Sequence, residues 1–498
     1  MGVILLASIV FLAAFLIVPG GAGRAEGCFV VAAGRGASAS GRVIIGHNED
    51  NRGELVMRHH YMPDGAASGT MQFESGAAAV PRAWPTLGFF WTETLRPTPG
   101  EPFGDSFVNE LGVVIVSNNC LLSNESAPEL FEGGIGWGLR RIVAERARSA
   151  RDAVRVASEL VLEYGYRGLA RSYTFADSRD VWAFQVANGR HFAARRLPDD
   201  HVMINPNHYS IRELDPDDEE NSLISPGLIE HAIKRGWYSP AKPGRYDDFD
   251  FAGAFQHPDY VMVPLNADRS SFGMSRAAGA YIRLGSGERP PFSVRPTKPL
   301  TLEGIVSTLG CHCERPSDFK DDGDWRESPH AGGREREDLA ADECFRICND
   351  ANKESLIVET HDNPDETVIW SCFGSPCALP MTPWHLGARA IPALFAGSSS
   401  NADSLALSSA HFSAESSDVA RAAPEIWDAY RTLASWYDAD YSRRLRETSG
   451  MMTALRRRIA SSHSDFESSF PRDGRDFSAQ ASRQARTVLD GMREITWG

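Results

Sequence analysis

The strand signals of this chain come in adjacent pairs, and that pairing is the tightest constraint on its fold. "CFVVAAG" (28–34) and "RVIIGHNED" (42–50) are apolar runs joined by "RGASASG", and the Gly and Ser of the joint predict a hairpin. "SFVNELGVVIVSNNC" (106–120) turns at Glu110–Gly112 and continues as a β-rich run. Residues 171–211 alternate strand-like runs with turns at "DSRD", "ANGR" and "LPDD", which predicts an antiparallel meander. "SLIVETHD" and "DETVIWSCFGSP" (355–376) return to strand character.

Helical periodicity lies between and after these clusters. Leu139, Ile142, Val143 and Ala147 share one stripe, and Ala153, Val154, Ala157, Leu160 and Val161 another. Ser149 followed by Asp152 marks a helix start between them, so 134–165 reads as two helices. "LTLEGIVSTLG" (300–310) and the chain from about 416 onward are helical as well. Strands in hairpin-like groups suit an α+β layered domain with antiparallel sheets better than a doubly wound parallel sheet. A hydrophobic content of 42% is ample for its core.

Residues 3–18, "VILLASIVFLAAFLIV", are continuously apolar but short for a membrane span, and "PGGAGRAEG" follows. That is the shape of a secretory signal peptide, although no Lys or Arg precedes the apolar core. The expectation is export, to a periplasm or the extracellular space, with no stable membrane association after the leader is removed. An uncleaved anchor is the alternative. A formal net charge of −15 argues against nucleic acid as a partner. The acidic runs at 215–220 and 247–251 read as solvated loops rather than a cation site.

Six of the eight cysteines, Cys311, Cys313, Cys344, Cys348, Cys372 and Cys377, lie between 311 and 377. In an exported protein they read as disulfides. Cys311 and Cys313 are expected to pair with Cys344 and Cys348 across the charged stretch 315–343, and Cys372 with Cys377 across "FGSP". The Cys-x-Cys and Cys-x3-Cys pairs also suit zinc, but neither has the common Cys-x2-Cys spacing, so no metal is expected. Cys28 and Cys120 remain and are expected to stay reduced.

Cys28 stands at the seam between leader and first strand. It is half of a disulfide, a lipid attachment point, or the new N-terminus of an enzyme that uses that terminus as nucleophile. Cleavage after Gly27 places small residues, Ala25 and Gly27, at −3 and −1. A bacterial lipid-attachment motif wants Leu where Ala25 stands and a small residue where Glu26 stands. As residue one, the Cys28 thiol lies beside its own α-amine, whose ordinary pKa of about 7.7–8.0 makes it a competent base.

"CFVVAAGRGASASGRVIIGHNEDN" resembles the N-terminus of the PepD-type dipeptidases, the cysteine-peptidase family that includes the secernins. These are N-terminal nucleophile (Ntn) hydrolases, related to penicillin V acylases and bile salt hydrolases. "NELGVVIVSNN" (109–119) and "GGIGWGLRRIVAERARSARDAV" (133–154) continue the likeness, and the ordered series runs to roughly residue 450. "TLGCHCE" departs from it, with two cysteines where the family has ordinary residues. The family's Arg-Asn-Glu-Asp segment reads His47-Asn48-Glu49-Asp50 here.

The resemblance implies an αββα sandwich: two stacked antiparallel sheets flanked by helices. The expected organisation is a leader (1–27), a catalytic domain (28–415) with a charged surface insertion, and a helical C-terminal region (416–498). Cys28 would be nucleophile and its α-amine the base. Asp50 would hold that amine; as a strand-end carboxylate it also suits a turn cap before Asn51. Asn119 would donate to the oxyanion, or is simply a polar strand end. Asn207 would be the second family Asn, or serves the turn with Pro206. Arg276 would be the active-site arginine, with Arg283 competing and a surface salt bridge open to either. His47, replacing the family Arg, would contact substrate with a smaller, partly charged group. The activity implied is hydrolysis of small peptides, chiefly dipeptides, without metal or organic cofactor. An amidase or acylase acting on N-acyl compounds is the runner-up. A lipid-anchored or disulfide-rich binding protein is the alternative outside enzymes.

Overall fold

A computed structural model describes residues 27–497, apart from 313–328, 331–345, 397–422 and 469–475 and short stretches at 52–54, 66–68, 73–75, 83–84, 95–103, 121–122, 216–217, 259–263 and 285–287. β1 (Phe29–Ala33) and β2 (Ile44–Asp50) form the expected hairpin, with Phe29 opposite Asn48. β3 (Met57–Met62), the short ribbon β4 (Thr70–Met71) and β5 (Val80–Pro81), β6 (Phe89–Thr94), β7 (Ser106–Asn109) and β8 (Val114–Asn119) follow. The helical pair is α1 (Leu139–Arg146) and α2 (Ala150–Tyr164). Ser149 caps α2, its Oγ accepting from the Asp152 N–H at 3.1 Å, a contact of the kind whose loss costs about 1 kcal/mol.

Next come β9 (Arg171–Ala176), β10 (Val181–Ala187), β11 (His191–Arg196), β12 (Val202–Asn205), β13 (Ser222–Ile224), α3 (Leu228–Lys234), α4 (Phe251–Phe255), α5 (Pro264–Ala278) and α6 (Leu302–Leu309). β14 (Asn352–Glu359), β15 (Val368–Cys372), β16 (Thr382–His385) and α7 (Ala393–Ala396) precede the C-terminal helices α8 (Glu425–Asp438), α9 (Tyr441–Glu467) and α10 (Phe477–Trp497). Among the described residues no helix is long and apolar enough to cross a membrane, and the leader reading of 1–27 falls, but for Gly27, outside them.

One sheet has six strands in the order β12-β1-β2-β14-β15-β16, the other eight in the order β13-β11-β10-β9-β8-β7-β6-β3. Every ladder between these strands is antiparallel. Strand alternation sorts the side chains of the larger sheet. Phe107, Ile115, Phe175 and Phe184 pack under α1 and α2 with Leu139, Ile142, Val154 and Leu160, while Val108, Val114 and Val116 face the other sheet. Each such fully buried side chain contributes about 1.5–3 kcal/mol. On the far side, α5 lays Gly273 against Phe29 and Ile204, and α6 lays Ile305 and Leu309 against Gly46. The result is the expected helix–sheet–sheet–helix sandwich.

The seam between the sheets is polar in places. His47 Nδ1 of β2 lies 3.1 Å from Ser106 Oγ of β7, and His59 Nε2 of β3 lies 2.5 Å from Glu354 Oε1 of β14. Burial makes such groups costly unless they are paired across the seam, which is how these are held.

Two expectations are corrected. The meander over 171–211 does not stay in one sheet: β9, β10 and β11 do, but β12 crosses over and pairs with β1, Val30 opposite Asn205. Alternation says which face of a strand is buried, not which sheet it joins, and β13 takes the place beside β11. No disulfide joins the described cysteines Cys28, Cys120, Cys311, Cys348, Cys372 and Cys377. Cys372 Sγ turns to the Gly374 carbonyl at 3.5 Å, and Gly374, at φ 126°, sends the chain away so that Cys377 faces other partners. The pairings that involve Cys313 or Cys344 lie outside the described residues, as does all of 315–343 except Pro329 and His330.

Candidate active site

Cys28 immediately precedes β1 and is 6% exposed. β1 is flanked by β2 and β12, so the end of β2 and the chain leaving β12 both run past it. The crossover of β12 thereby brings Asn205 and Asn207 beside Cys28. Asn118 of β8 completes the enclosure from the opposite sheet. Its Nδ2 donates to the carbonyls of Cys28 at 3.3 Å, Asn205 at 2.7 Å and Pro206 at 3.2 Å.

The peptide bond before Cys28 is held closely. The Gly27 carbonyl accepts from Arg269 Nη1 at 2.5 Å. Arg269 Nη2 donates to Asn207 Oδ1 at 2.5 Å, and Nη1 lies 3.9 Å from Asp50 Oδ2. Asn349 Nδ2 donates to the same Asp50 oxygen at 3.2 Å. Asn207 is itself fixed: its Nδ2 donates to the Asn119 carbonyl at 2.6 Å, and its main chain is bracketed by the Asn266 amide at 3.2 and 3.0 Å. A Cβ on residue 27 would lie 1.8 Å from Asn207 Oδ1, so only glycine fits there.

On its side-chain side Cys28 meets acids. Its Sγ donates to Glu49 Oε2 at 3.6 Å. Burial, then Glu49, Asp105 and Asp50, push the thiol well above its ordinary range. Burial and Asp105 likewise push Glu49 well above the usual carboxylate range, and Asn51 donates to its other oxygen. Burial works against the Asp105 carboxylate too, but Arg140 at 2.8 Å, Arg171 at 3.1 Å and Ser117 at 2.7 Å outweigh it and set its pKa at about 2. His47 is the reverse case: burial takes it down to about 4, so it is neutral at physiological pH. Where the family pattern has a permanent cation, this chain has a neutral imidazole. A ring nitrogen of His47, a Glu49 oxygen and Cys28 Sγ lie within 4.8 Å of one another, so any ion held there would occupy the thiol itself.

The structure therefore gathers Cys28, Asp50, Asn207 and His47 in one buried place. Asn119 reaches it through its main-chain carbonyl on Asn207, while the side-chain amide that touches Cys28 belongs to its neighbour Asn118. Arg276 is placed elsewhere: it lies two turns further along α5 and donates to Ser307 of α6. Arg283 is exposed beyond the end of α5. The guanidinium beside Cys28 is that of Arg269, fully buried, its pKa drawn down by burial to about 10 despite Asp50 and still cationic at neutral pH. Seven residues are two helical turns, so Arg269 and Arg276 share a face. Reading 264–278 as a helix would have raised Arg269 as a candidate, but the choice between them needs the helix's position against β1.

Similarity to known proteins follows the same residues. Positions 27–419, most of the chain, match the model of Peptidase family C69. The chain is 23% identical over 389 residues to a probable dipeptidase of Salmonella dublin, covering 76% of this chain and 84% of that protein. It is 23% identical over 390 residues to probable dipeptidase B of Lactococcus lactis subsp. lactis (strain IL1403), covering 75% and 77%. Penicillin V acylase from Agrobacterium tumefaciens is a structural neighbour at TM-score 0.32 and 11% identity, over 72% of this chain and 84% of that one. The family match opens one residue before Cys28 and runs through both sheets: the chain belongs to peptidase family C69, a family of N-terminal nucleophile cysteine dipeptidases.

Proposed function

We propose that this protein is an exported dipeptidase whose nucleophile is Cys28 once that residue is the N-terminus. The observation that carries the reading is the placement of the Gly27–Cys28 peptide. Its carbonyl is an acyl group held beside the thiol by a buried guanidinium, with Asn207 packed against it and Asp50 behind. When Gly27 departs, a substrate acyl carbonyl takes its place and meets the same Arg269 N–H groups. Preset donors in a dry site are worth far more to a developing oxyanion than donors in water.

Removal of Gly27 also creates the base. With the peptide bond intact, Cys28 is a buried thiol among acids and holds its proton. A free α-amine accepts that proton, and Asp50 stabilises the ammonium. Sγ then bonds to the substrate carbonyl carbon, and the C–N bond breaks as the leaving amine takes the proton back. Water, activated by the same amine, hydrolyses the thioester and frees the thiol. Two side-chain amides, those of Asn207 and Asn118, keep this geometry.

The mass of the N-terminal peptide of purified active enzyme tests the mechanism. It should begin at Cys28 with a free amine. Fully active protein that begins at Glu26 or Met1, or carries a lipid on Cys28, rejects it. A substrate panel tests the specificity: dipeptides with free amines should be cleaved and N-acyl amides spared. The opposite pattern makes the protein an acylase with the same nucleophile.

A further inference from the structure

Outside the Cys28 site, four side chains from four separated segments converge on one point. They are His312 after α6, His330 from the charged insertion, Cys348 before β14, and Cys377 between β15 and β16. One ligand-capable atom of each lies within 4.8 Å of every other. The two sulfurs are 3.6 Å apart, and the two Nε2 atoms 3.3 Å. His330 Nε2 is 3.1 Å from Cys377 Sγ and 3.6 Å from Cys348 Sγ.

Those separations are the edges of a tetrahedron. With Zn–S of about 2.3 Å and Zn–N of about 2.0–2.1 Å, tetrahedral geometry calls for about 3.8 Å between sulfurs, about 3.3 Å between nitrogens and about 3.5 Å from sulfur to nitrogen. The four atoms are already spaced for an ion at their centre.

The surroundings orient the ligands. Asp438, the last residue of α8, accepts from His330 Nδ1 at 2.9 Å. That contact places the ring proton on Nδ1 and aims the Nε2 lone pair at the cluster, as a carboxylate behind a metal-bound histidine does. Tyr441 donates to Cys377 Sγ at 3.3 Å. Gly310 makes room: a Cβ there would lie 3.1 Å from Cys377 Cα.

We propose that His312, His330, Cys348 and Cys377 form a structural zinc site that clasps His330 to the catalytic domain and to the α8–α9 junction. Soft thiolates with imidazoles in a tetrahedron select zinc among common divalent ions, and four protein ligands leave no open position for chemistry. Binding displaces one proton from each thiol and takes both imidazoles neutral, so the two thiolates balance the ion's charge. The clasp lies one residue from Asn349, which holds Asp50. It does not depend on the peptidase mechanism.

Elemental analysis of the purified full-length chain after equilibration with zinc and gel filtration tests this, followed by replacement with Co(II). The expected result is one zinc per chain and a cobalt form with the intense d–d bands of tetrahedral coordination and sulfur-to-cobalt charge transfer. Cys348→Ser and Cys377→Ser should each weaken the charge-transfer bands. Because those variants risk misfolding, Asp438→Asn provides a milder probe: the ligands stay, and zinc affinity measured by chelator competition should fall about 10- to 100-fold. A chain that retains no stoichiometric metal, a Cys348–Cys377 disulfide in peptide mapping, or full zinc occupancy in the Cys348→Ser/Cys377→Ser double variant overturns the proposal.

Discussion

Two cysteines of this protein sit in opposite electrostatic settings. Cys28 is ringed by carboxyl groups, so burial and its neighbours act together and its thiol stays protonated. At Cys377 burial also opposes ionisation, but the Cys348 thiol, His330 and His312 outweigh it and draw the pKa well below the ordinary range. On ionisation alone, Cys377 would pass for the reactive thiol. Its neighbours say otherwise: two imidazoles and a second sulfur arranged around a point make a binding site. Cys28, inert in its present surroundings, has an acyl group and a buried guanidinium next to it and, on the proposed mechanism, lacks only the amine that cleavage after Gly27 would supply. What surrounds a thiol in space decides its role more than its resting pKa does.

The reciprocal experiment gives the largest effects. Cys28→Ala should lower kcat/KM at least about a thousandfold, ~4 kcal/mol in the barrier, and leave bound zinc unchanged. Cys377→Ser should weaken zinc binding and keep the nucleophile. Activity of the Cys28→Ala protein within about tenfold of wild type, or loss of zinc from it, would break the distinction between the two sites.

The acid response sharpens the same contrast. His47 has a folded pKa of about 4 against 6.5 when exposed. Between those values the unfolded chain binds a proton that the folded chain does not. Its contribution to stability is therefore complete above pH 6.5 and is lost as the pH falls to 4. His47→Gln should flatten the rise in unfolding free energy, measured by urea titration, across that window by up to about 3 kcal/mol. His191, His208 and His463, also drawn down to about 4 by burial, leave a residual slope. An unchanged slope in the variant would mean that His47 is charged in the folded protein.

Arg269→Ala should cost about a hundredfold in kcat/KM, because it removes the donor to the acyl carbonyl and uncovers Asp50. Arg276→Ala should stay within about twofold. Equal losses would return the two arginines to the standing they have in the sequence. An effect between those of the two arginines belongs to the residue that joins the sites. Asn349→Ala removes one hydrogen bond to Asp50 and should lower kcat/KM about three- to tenfold, roughly 1 kcal/mol, with zinc content intact. A rate loss as large as that of Arg269→Ala would make Asn349 a principal support of Asp50.

Much of the fold is legible in the sequence because it rests on local periodicity. The β1–β2 hairpin, the turn at Glu110–Gly112, the Ser149 cap and the helices at 139–146, 150–164 and 302–309 all stand where alternation and capping residues put them. The zinc clasp is less legible. Cysteine spacing does not reveal it, because no short spacing links His312, His330, Cys348 and Cys377. Histidines and cysteines from separate loops leave no linear motif when each contributes a single ligand.

The sequence by itself determined that Cys28 opens a core strand next to a leader-like segment, that an Asn-Glu-Asp run ends the following strand, and that antiparallel layers with helices would hold them. These are short-range facts, set by hydrophobic alternation and by what neighbours in the chain can do for one another. Tertiary structure decided which groups meet. It sent β12 to the other sheet and so brought Asn207 to Gly27, selected Arg269 over Arg276 by the docking of α5 on β1 and β12, and gathered four ligands from segments 18 to 29 residues apart. The physical reason is the same in each case. Periodicity records whether a side chain is buried, whereas a site depends on distances between chain segments, which are settled when the layers pack.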